Sequence, residues 1–294
     1  MKRFLILATF VFIVIAILIR LCDGNNDVKA EITSDHIKTN DSKVSVSKVQ
    51  QNELIDTLET TIIFDSLSLE LPRVKTNKPE QILVREGYTT SYNASTKNAN
   101  WVSWHLTKEH TTGPWSRKGI PYIVDNDVKG SRQELEDWYD NNLPIDHGHL
   151  CPAGDNKWSK KAMIQSFLLT NMCPQNSALN QGDWEELESR CRGWANHYGE
   201  IFIAAGPIFY NKNYKTIGNN KVGVPDAFFK VILRVNKNSQ ALGFIYPNDG
   251  THHKMDFYVV TVDDVESLTG IDFFYNLSDE TENKVESSSN LSLW

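Results

Sequence analysis

Residues 146–155 are the first stretch that could support catalysis, with the sequence Asp-His-Gly-His-Leu-Cys-Pro-Ala-Gly-Asp. His147 and His149 stand here among glycines and a proline, just before a predicted helix. An imidazole can take a proton from water near neutral pH without large tuning of its pKa. His149 is therefore a candidate general base, although a lone histidine is equally compatible with a purely structural role.

A second set of polar side chains accompanies the helix predicted at residues 183–198. Asn180 precedes it, Glu188 follows eight residues on and Arg192 twelve residues on, so all three stay on nearly one side. The amide oxygen of Asn180 suits a hard cation such as Mg²⁺, which takes few protein ligands. Arg192 suits a phosphate oxygen or the charge that develops on it. The same spacing also fits a solvated helix face with an i,i+4 ion pair between Glu188 and Arg192.

His147 and His149 also have the i,i+2 spacing of two zinc ligands on one strand. A catalytic zinc ion needs about three protein ligands, which Asp155 or the pair His252 and His253 would have to complete. The chain has no further histidines at the fixed spacings of zinc hydrolases. A hard cation at Asn180 is therefore favoured over zinc.

The elements that must position these side chains are a mixture of hairpin-like strands and inserted helices. Residues 101–107 alternate apolar and polar side chains, as in a half-buried strand. Further strands are predicted at 82–84, 88–92, 200–205, 228–236, 240–246 and 257–261, and further helices at 131–139, 159–167 and 263–269. This mixture predicts an α+β fold and not a parallel βαβ fold.

By composition the chain divides into an N-terminal segment, a linker, a domain and a tail. Residues 67–277 contain the predicted elements and form the expected α+β domain. Residues 23–66 are rich in Asn, Asp, Ser, Thr and Lys, which predicts a disordered polar linker. Residues 278–294 are polar, which predicts a flexible tail.

Residues 1–22 predict a segment for export. Lys2 and Arg3 precede an uncharged apolar run from Phe4 to Ile19. As a helix this run covers about 24 Å, less than the roughly 30 Å core of a bilayer. It is compatible with a signal peptide and with a short membrane anchor, and the lack of a small-residue cleavage site favours the anchor. We expect an exported protein, either membrane-anchored or secreted, at the periplasm or cell surface if the source is bacterial.

Four cysteines are compatible with an oxidising compartment. Cys22 lies in the export segment, which leaves Cys151, Cys173 and Cys191, so one disulfide and one buried thiol is the simplest arrangement. We predict a Cys173–Cys191 disulfide, because it would tie the helix to the segment that enters it, with a loop-closure contribution of about 3 kcal/mol. A pairing of Cys151 with either of the others stays open.

Several separated motifs carry a family resemblance. They are Asp146-His147-Gly148-His149-Leu150, Thr170-Asn171-Met172-Cys173-Pro174-Gln175, Asn180, Trp184, Leu187-Glu188 and Arg192, with supporting segments at 87–92, 101–106 and 206–208. In this order they resemble the DNA/RNA non-specific endonucleases, the ββα-metal nucleases that include Serratia-type nuclease and mitochondrial endonuclease G. The resemblance covers about residues 69–275. It implies a ββα-metal nuclease fold, with a central antiparallel sheet flanked by helices.

The resemblance implies a role for each matching residue. His149 matches the general base, and Asn180 matches the metal-binding asparagine. Glu188 matches a glutamate that orients water at the metal, and Arg192 matches an arginine that stabilises the phosphate. Asn171 matches a recurrent active-site asparagine, which we also expect to be catalytic.

Two positions concern substrate binding. Arg117 lies where the family often has a substrate-binding arginine. His147 departs from the family, whose usual motif is Asp-Arg-Gly-His. Arginine can form a bidentate contact with phosphate and histidine cannot, so His147 is expected to be either a cationic phosphate contact or a spacer.

The resemblance implies an exported endonuclease that uses Mg²⁺, with Mn²⁺ as an alternative, and contacts the backbone of DNA and RNA. The N-terminal segment would associate it with a membrane. The net charge of −7 argues against recruitment of nucleic acid by bulk charge, so a local basic patch would be needed. Two alternatives stay open: a phosphodiesterase of small nucleotides on the same scaffold, and a non-catalytic surface module that binds nucleic acid.

Overall fold

The structure, a computed structural model, describes residues 68–139, 143–236 and 238–294. The export segment predicted at 1–22 and the linker predicted at 23–66 lie outside the described residues. Within those three ranges, the helices are all too short or too polar to cross a bilayer.

Short strands and helices alternate along the described chain. The strands are β1 (Arg73–Val74), β2 (Gln81–Val84), β3 (Thr89–Asn93), β4 (Asn98–Thr107), β5 (Ile145–His149), β6 (Met172–Asn176), β7 (Glu200–Ile208), β8 (Thr216–Ile217), β9 (Val222–Gly223), β10 (Ala227–Arg234), β11 (Gln240–Pro247), β12 (Val259–Val260) and β13 (Ile271–Asp272). The α-helices are α1 (Lys160–Gln165), α2 (Ser177–Asn180), α3 (Asp183–Tyr198), α4 (Val262–Thr269) and α5 (Asp279–Glu286). Short 3₁₀ helices cover Glu109–Thr111, Leu135–Trp138, Ala153–Asp155, Leu169–Asn171, Met255–Tyr258 and Leu291–Leu293.

Seven strands form one antiparallel sheet in the order β12-β11-β10-β7-β4-β3-β2. In its centre, Ile203 of β7 lies opposite Trp104 of β4 on one side and Ile232 of β10 on the other. The sheet has helices on both faces, so its central strands are apolar at consecutive positions. The structure confirms the predicted α+β fold with a central antiparallel sheet flanked by helices.

Alternate residues of the central strands enter two different cores, because successive side chains of a strand point to opposite faces. In β10, Phe228 and Ile232 enter the core that α3 covers, whereas Phe229 and Val231 enter the core that α4 and α5 cover. The sheet therefore separates a face that carries α3 from a face that carries α4 and α5.

The hairpin of β5 and β6 presents residues 146–149 beside α3. Gly148 lies opposite Cys173, and a Cβ at this glycine would lie 2.5 Å from the Cβ of Gln175. Only glycine permits so close an approach of the two strands. Together β5, β6 and α3 form the strand–strand–helix unit that the resemblance implied.

Helix boundaries follow local signals in the sequence. Ser159 caps α1, since its hydroxyl accepts a hydrogen bond from the Ala162 N–H, and Gly270 ends α4 with a φ of 68°. The helix predicted at 131–139 is reduced to the 3₁₀ turn Leu135–Trp138.

Residues 278–294, expected to be a flexible tail, are folded instead. They form α5, and Trp294 packs edge-on against Trp194 with ring centroids 5.1 Å apart. Arg234 also donates a hydrogen bond to the carbonyl of Leu293 at 3.1 Å. The polar composition of this segment concealed the few apolar side chains, such as Trp294, that attach it to the domain.

The predicted Cys173–Cys191 disulfide is wrong. Cys151, Cys173 and Cys191 are all free and buried. Cys173 hydrogen-bonds to the backbone of Ala99 in β4, whereas Cys191 faces Lys230 in β10, so the two thiols line different parts of one core. Burial raises the pKa of all three thiols, that of Cys191 to about 12, and they act as small apolar side chains.

Candidate active site

A cleft of about 660 Å³ opens where the β5–β6 hairpin meets α3. Six residues selected from the sequence line it, namely Arg117, His147, His149, Asn180, Glu188 and Arg192. They come from a loop, from β5, and from α2 and α3. Side chains that are far apart in sequence therefore converge on one concave surface.

His149 is held as a neutral acceptor. Its side chain is buried, and Nε2 has no hydrogen-bond partner in the described part of the chain. The ring also hydrogen-bonds to the backbone of His147, and since Nε2 is unpartnered this bond is made by Nδ1. Burial, followed by the charges of Arg117 and His147, lowers the pKa of His149 to about 3. At neutral pH the ring therefore carries no charge, and Nε2 is able to accept a proton.

The backbone of His149 is anchored by the helix. Trp184 of α3 donates a hydrogen bond from Nε1 to the His149 carbonyl at 3.2 Å. The ring of Phe167 meets the imidazole edge-on, with centroids 5.1 Å apart. The position of the candidate base is therefore set by packing from α3 and from the segment after α1.

Asp146 orients the amide of Asn180. The Asp146 carboxylate accepts hydrogen bonds from Asn180 Nδ2 at 3.0 Å, Gln181 Nε2 at 2.8 Å and Ser177 Oγ at 2.7 Å. Partial burial acts to raise the pKa of Asp146, but these hydrogen bonds outweigh it and lower that pKa. Because Nδ2 points at Asp146, the Oδ1 oxygen of Asn180 points away from it, at the edge of the cleft. A neutral oxygen in the same cleft as Glu188 fits a divalent cation.

Arg192 does not form the expected ion pair with Glu188. Its Nη1 donates to Asp155 Oδ1 at 3.1 Å, and its Nη2 donates to Ser189 Oγ at 3.0 Å. Trp104 donates to the other oxygen of Asp155 at 3.0 Å, so this buried carboxylate is well satisfied. Asp155 therefore positions the guanidinium at the cleft. Sequence analysis had considered Asp155 only as a zinc ligand.

Lys230 is a residue that sequence analysis missed. It is fully buried, its Nζ has no hydrogen-bond partner among the described residues, and the amine lies 4.2 Å from the centre of the Trp184 ring. Its charge acts on Glu188. Burial raises the pKa of Glu188 to about 7, the charges of Lys230 and Arg192 oppose this shift, and the charge of Asp155 adds to it. The available signal was a single lysine within the otherwise apolar stretch 227–233 of β10, on the face that α3 covers.

His147 lies in an aromatic sandwich. The rings of Tyr122 and Trp138 stack on its two faces, each with its centroid 3.9 Å from that of the imidazole. Burial lowers the pKa of His147 to about 4, although the charge of Asp146 opposes the shift. The imidazole is therefore neutral at physiological pH in the absence of substrate, which favours the spacer role over the cationic phosphate contact. Neither Tyr122 nor Trp138 had been selected from the sequence.

Asn171 does not line the cleft. Its Oδ1 accepts from the Cys151 N–H at 2.9 Å, and its Nδ2 donates to the carbonyls of Cys151 and Ser166, both at 2.8 Å. The side chain is fully buried, and these bonds leave it no contact with a substrate. These contacts do not support a direct catalytic role for Asn171. It is a positioning residue that holds the chain just after His149.

The zinc alternative loses its ligands. His252 and His253 hydrogen-bond to Asp183 at the start of α3, and Asp155 holds Arg192. In the described ranges, no group of three metal-ligating side chains contains a histidine. The donors of Asn180 and Glu188 in the cleft are oxygens, which suit Mg²⁺ or Mn²⁺ better than zinc.

Comparison with known proteins agrees with this geometry. Residues 68–280 match the DNA/RNA non-specific endonuclease family. The chain is 32% identical over 206 residues to mitochondrial nuclease EXOG of Xenopus laevis, covering 65% of this chain and 57% of the relative. It is 29% identical over 210 residues to human mitochondrial endonuclease G, covering 67% and 70%. It is 34% identical over 216 residues to nuclease C1 of Cunninghamella echinulata var. echinulata, covering 68% and 84%.

The chain thus spans just over half the length of the EXOG nucleases that it matches, 57% for the Xenopus laevis protein. Its fold is similar to that in the crystal structure of the EndoG/EndoGI complex, with a TM-score of 0.64 and 24% identity, covering 68% of this chain and 87% of that one. The family match covers well over half of the chain and includes the whole cleft. The chain therefore belongs to the DNA/RNA non-specific endonuclease family.

Proposed function

We propose that the protein is a metal-dependent endonuclease that hydrolyses phosphodiester bonds of DNA and RNA. The observation that carries the proposal is the neutral His149, whose Nε2 has no partner, in the same cleft as Asn180, Glu188 and Arg192. Family membership supports the same reaction class.

His149 acts as the general base. The hydrogen bond from its Nδ1 to the backbone keeps the proton on that nitrogen, so Nε2 accepts one from the attacking water. A low pKa keeps the base unprotonated at neutral pH. A phosphate anion bound in the cleft raises that pKa towards neutrality and strengthens the base, because an opposite charge favours the protonated ring.

Asn180 is the residue that would hold a divalent cation, and Glu188, in the same cleft, would orient water at it. When bound there, Mg²⁺ or Mn²⁺ supplies charge stabilisation at the phosphate and at the leaving oxygen. Asp146 keeps the Asn180 oxygen turned outward, and Arg192 adds a fixed positive charge that Asp155 orients. Oxygen donors support Mg²⁺ as the preferred ion.

The substrate is bound through its backbone. Three cations, Arg117, Lys157 and Arg192, line the cleft beside three carboxylates and are the groups that would contact the phosphates. Contacts of this kind read phosphates and not base edges, so low sequence specificity follows. We further propose that the protein is exported and associates with a membrane, because residues 1–22 have the pattern of an export segment.

The proposal is tested by incubating the whole chain with supercoiled plasmid, single-stranded RNA and a dinucleotide, in Mg²⁺ and in EDTA. We expect nicking of the plasmid and cleavage of the RNA in Mg²⁺ alone. His149→Ala should abolish both activities, whereas His197→Ala, which changes an exposed histidine of α3, should not. Hydrolysis of the dinucleotide alone would identify a small-nucleotide phosphodiesterase, and metal-independent binding without hydrolysis would identify a non-catalytic module.

A further inference from the structure

Three carboxylates meet on the face of the sheet that lies opposite the cleft. Asp263 and Glu266 come from the first turns of α4, and Glu286 is the last residue of α5. One oxygen from each lies within 4.8 Å of the other two. All three are absent from the lining of the catalytic cleft, so the function proposed above does not account for their convergence.

Glu286 is the member that points to a ligand. Its residue is only 4% exposed, and its Oε1 is buried with no hydrogen-bond partner among the residues that the structure describes. Burial of a carboxylate without a donor or a cation is costly, and native proteins seldom leave such an atom unsatisfied. The unsatisfied oxygen belongs to a carboxylate that faces two others, which is the arrangement that a cation would complete.

The surrounding charges leave Glu286 without a cation of its own. Lys75 pairs with Glu266 and with Asp272, not with Glu286. Burial and the neighbouring carboxylates, among them Glu266, Glu282 and Asp272, raise the pKa of Glu286 to about 9. A cation between the three carboxylates would reverse this shift and allow Glu286 to ionise.

We propose that Asp263, Glu266 and Glu286 bind a Ca²⁺ ion that joins α4 to α5. Ca²⁺ takes 6–8 oxygens at about 2.3–2.6 Å, so two oxygens on opposite sides of the ion lie about 4.8 Å apart. The three oxygens lie within 4.8 Å of one another, inside this limit, so one ion can contact all of them. Ca²⁺ accepts flexible geometry and carboxylates that bind through one or two oxygens, whereas Mg²⁺ demands near-ideal octahedral geometry and keeps several waters, so Ca²⁺ suits three protein carboxylates better.

The hydrogen bonds around the site are compatible with this role. Glu266 Oε1 accepts from the Phe273 N–H at 2.6 Å, which leaves Oε2 for the ion. Lys75 would yield its 3.5 Å contact with Glu266 and keep its pairing with Asp272. Asp263 is exposed and contributes a carboxylate without loss of packing.

Binding at this site would act on the stability of the domain and not on the chemistry in the cleft. Val265 of α4 and Val285 of α5 belong to the same core. An ion that holds the two helices together therefore holds the cover of that core in place, including the segment that sequence analysis expected to be flexible.

The test uses the whole chain with Asn180→Ala, which removes the cation ligand of the cleft. After EDTA treatment, the midpoint of thermal unfolding is measured with and without Ca²⁺, and calorimetry counts the bound ions. We expect one ion per chain and a rise of about 3–6 °C when Ca²⁺ is tenfold above its Kd. Adding Asp263→Asn should remove both the bound ion and the rise in midpoint. The matched change of an exposed residue on α5, Glu280→Gln, should leave the bound ion and the rise in midpoint in place.

Glu286→Gln is a second variant that guards against a folding defect. It should lose the response to Ca²⁺ while staying folded in EDTA, because it removes the buried carboxylate that lacks a partner. If Ca²⁺ raised the midpoint of Asp263→Asn or Glu286→Gln as much as that of the protein without these changes, the proposed site would be overturned. An equal rise with the same concentration of Mg²⁺ would overturn the assignment to Ca²⁺.

Discussion

Glu188 and Glu286 are two glutamates on opposite faces of one sheet, the first half-buried and the second buried. Burial raises the pKa of both, to about 7 for Glu188 and to about 9 for Glu286. The difference comes from their neighbours: Lys230 and Arg192 oppose the shift of Glu188, whereas carboxylates surround Glu286. The sign of the nearby charges, more than burial, decides whether a buried carboxylate can ionise near neutral pH.

The comparison also separates two uses of a cation. The face with the cleft contains fixed positive charges beside its carboxylate, so it is prepared for an anionic substrate together with a metal. The opposite face has carboxylates that converge without a cation for Glu286, so an ion there would act on stability. Variants that affect one face and spare the other test this division.

The largest expected effect is on the cleft face. His149→Ala should lower the rate of nucleic-acid hydrolysis by about 10²–10⁴-fold, because it removes the general base. The thermal midpoint and its response to Ca²⁺ should stay unchanged. Initial rates on plasmid at saturating Mg²⁺ measure the effect, and a loss of less than tenfold would remove His149 from the role of base.

Loss of the metal ligand should have the next largest effect. Asn180→Ala should raise the Mg²⁺ concentration for half-maximal activity by at least about tenfold. Asp146→Ala should raise it by about 10–100-fold, because the Asn180 amide loses the partner that orients it. Mg²⁺ titrations of initial rate measure both, and an unchanged Mg²⁺ requirement in Asn180→Ala would place the cation elsewhere.

The charge of Lys230 should be visible in the pH profile. Because that charge lowers the pKa of Glu188, Lys230→Met should raise it and move the acidic limb of kcat/KM to higher pH. His149 titrates at about pH 3 and does not contribute to that limb. Profiles at limiting Mg²⁺ measure the shift, with Glu286→Gln as the control that should leave the limb in place. Identical profiles for wild type and Lys230→Met would show that Glu188 does not control the acidic limb.

The opposite face should instead control how stability depends on pH. The folded state keeps a proton on Glu286 up to about pH 9, whereas the unfolded chain releases it near the ordinary value of 4.5. The free energy of unfolding should therefore fall as pH rises between these values, by a total on the order of a few kcal/mol. In EDTA, Glu286→Gln should remove much of this fall, as denaturant unfolding at pH 5 and pH 9 would reveal. An equal fall in both proteins would show that Glu286 is not the group responsible.

Local spacing was sufficient for the helix α3, which the structure has at the predicted residues Asp183–Tyr198. Spacing together with the family resemblance selected the cleft residues His149, Asn180, Glu188 and Arg192. An apolar repeat of 3.6 residues and a capping or terminating residue act within a few turns of chain. Such signals are therefore present in the sequence itself.

The tertiary structure alone decided the partners of these residues. Arg192 is four residues from Glu188, yet it bonds to Asp155, which lies 37 residues away. Lys230 reaches the cleft face only because β10 lies in the middle of the sheet, and Asn171 and the three cysteines likewise took their roles from packing. Contacts between distant residues depend on which strands and helices come together, and no local pattern in the chain encodes the distance between them.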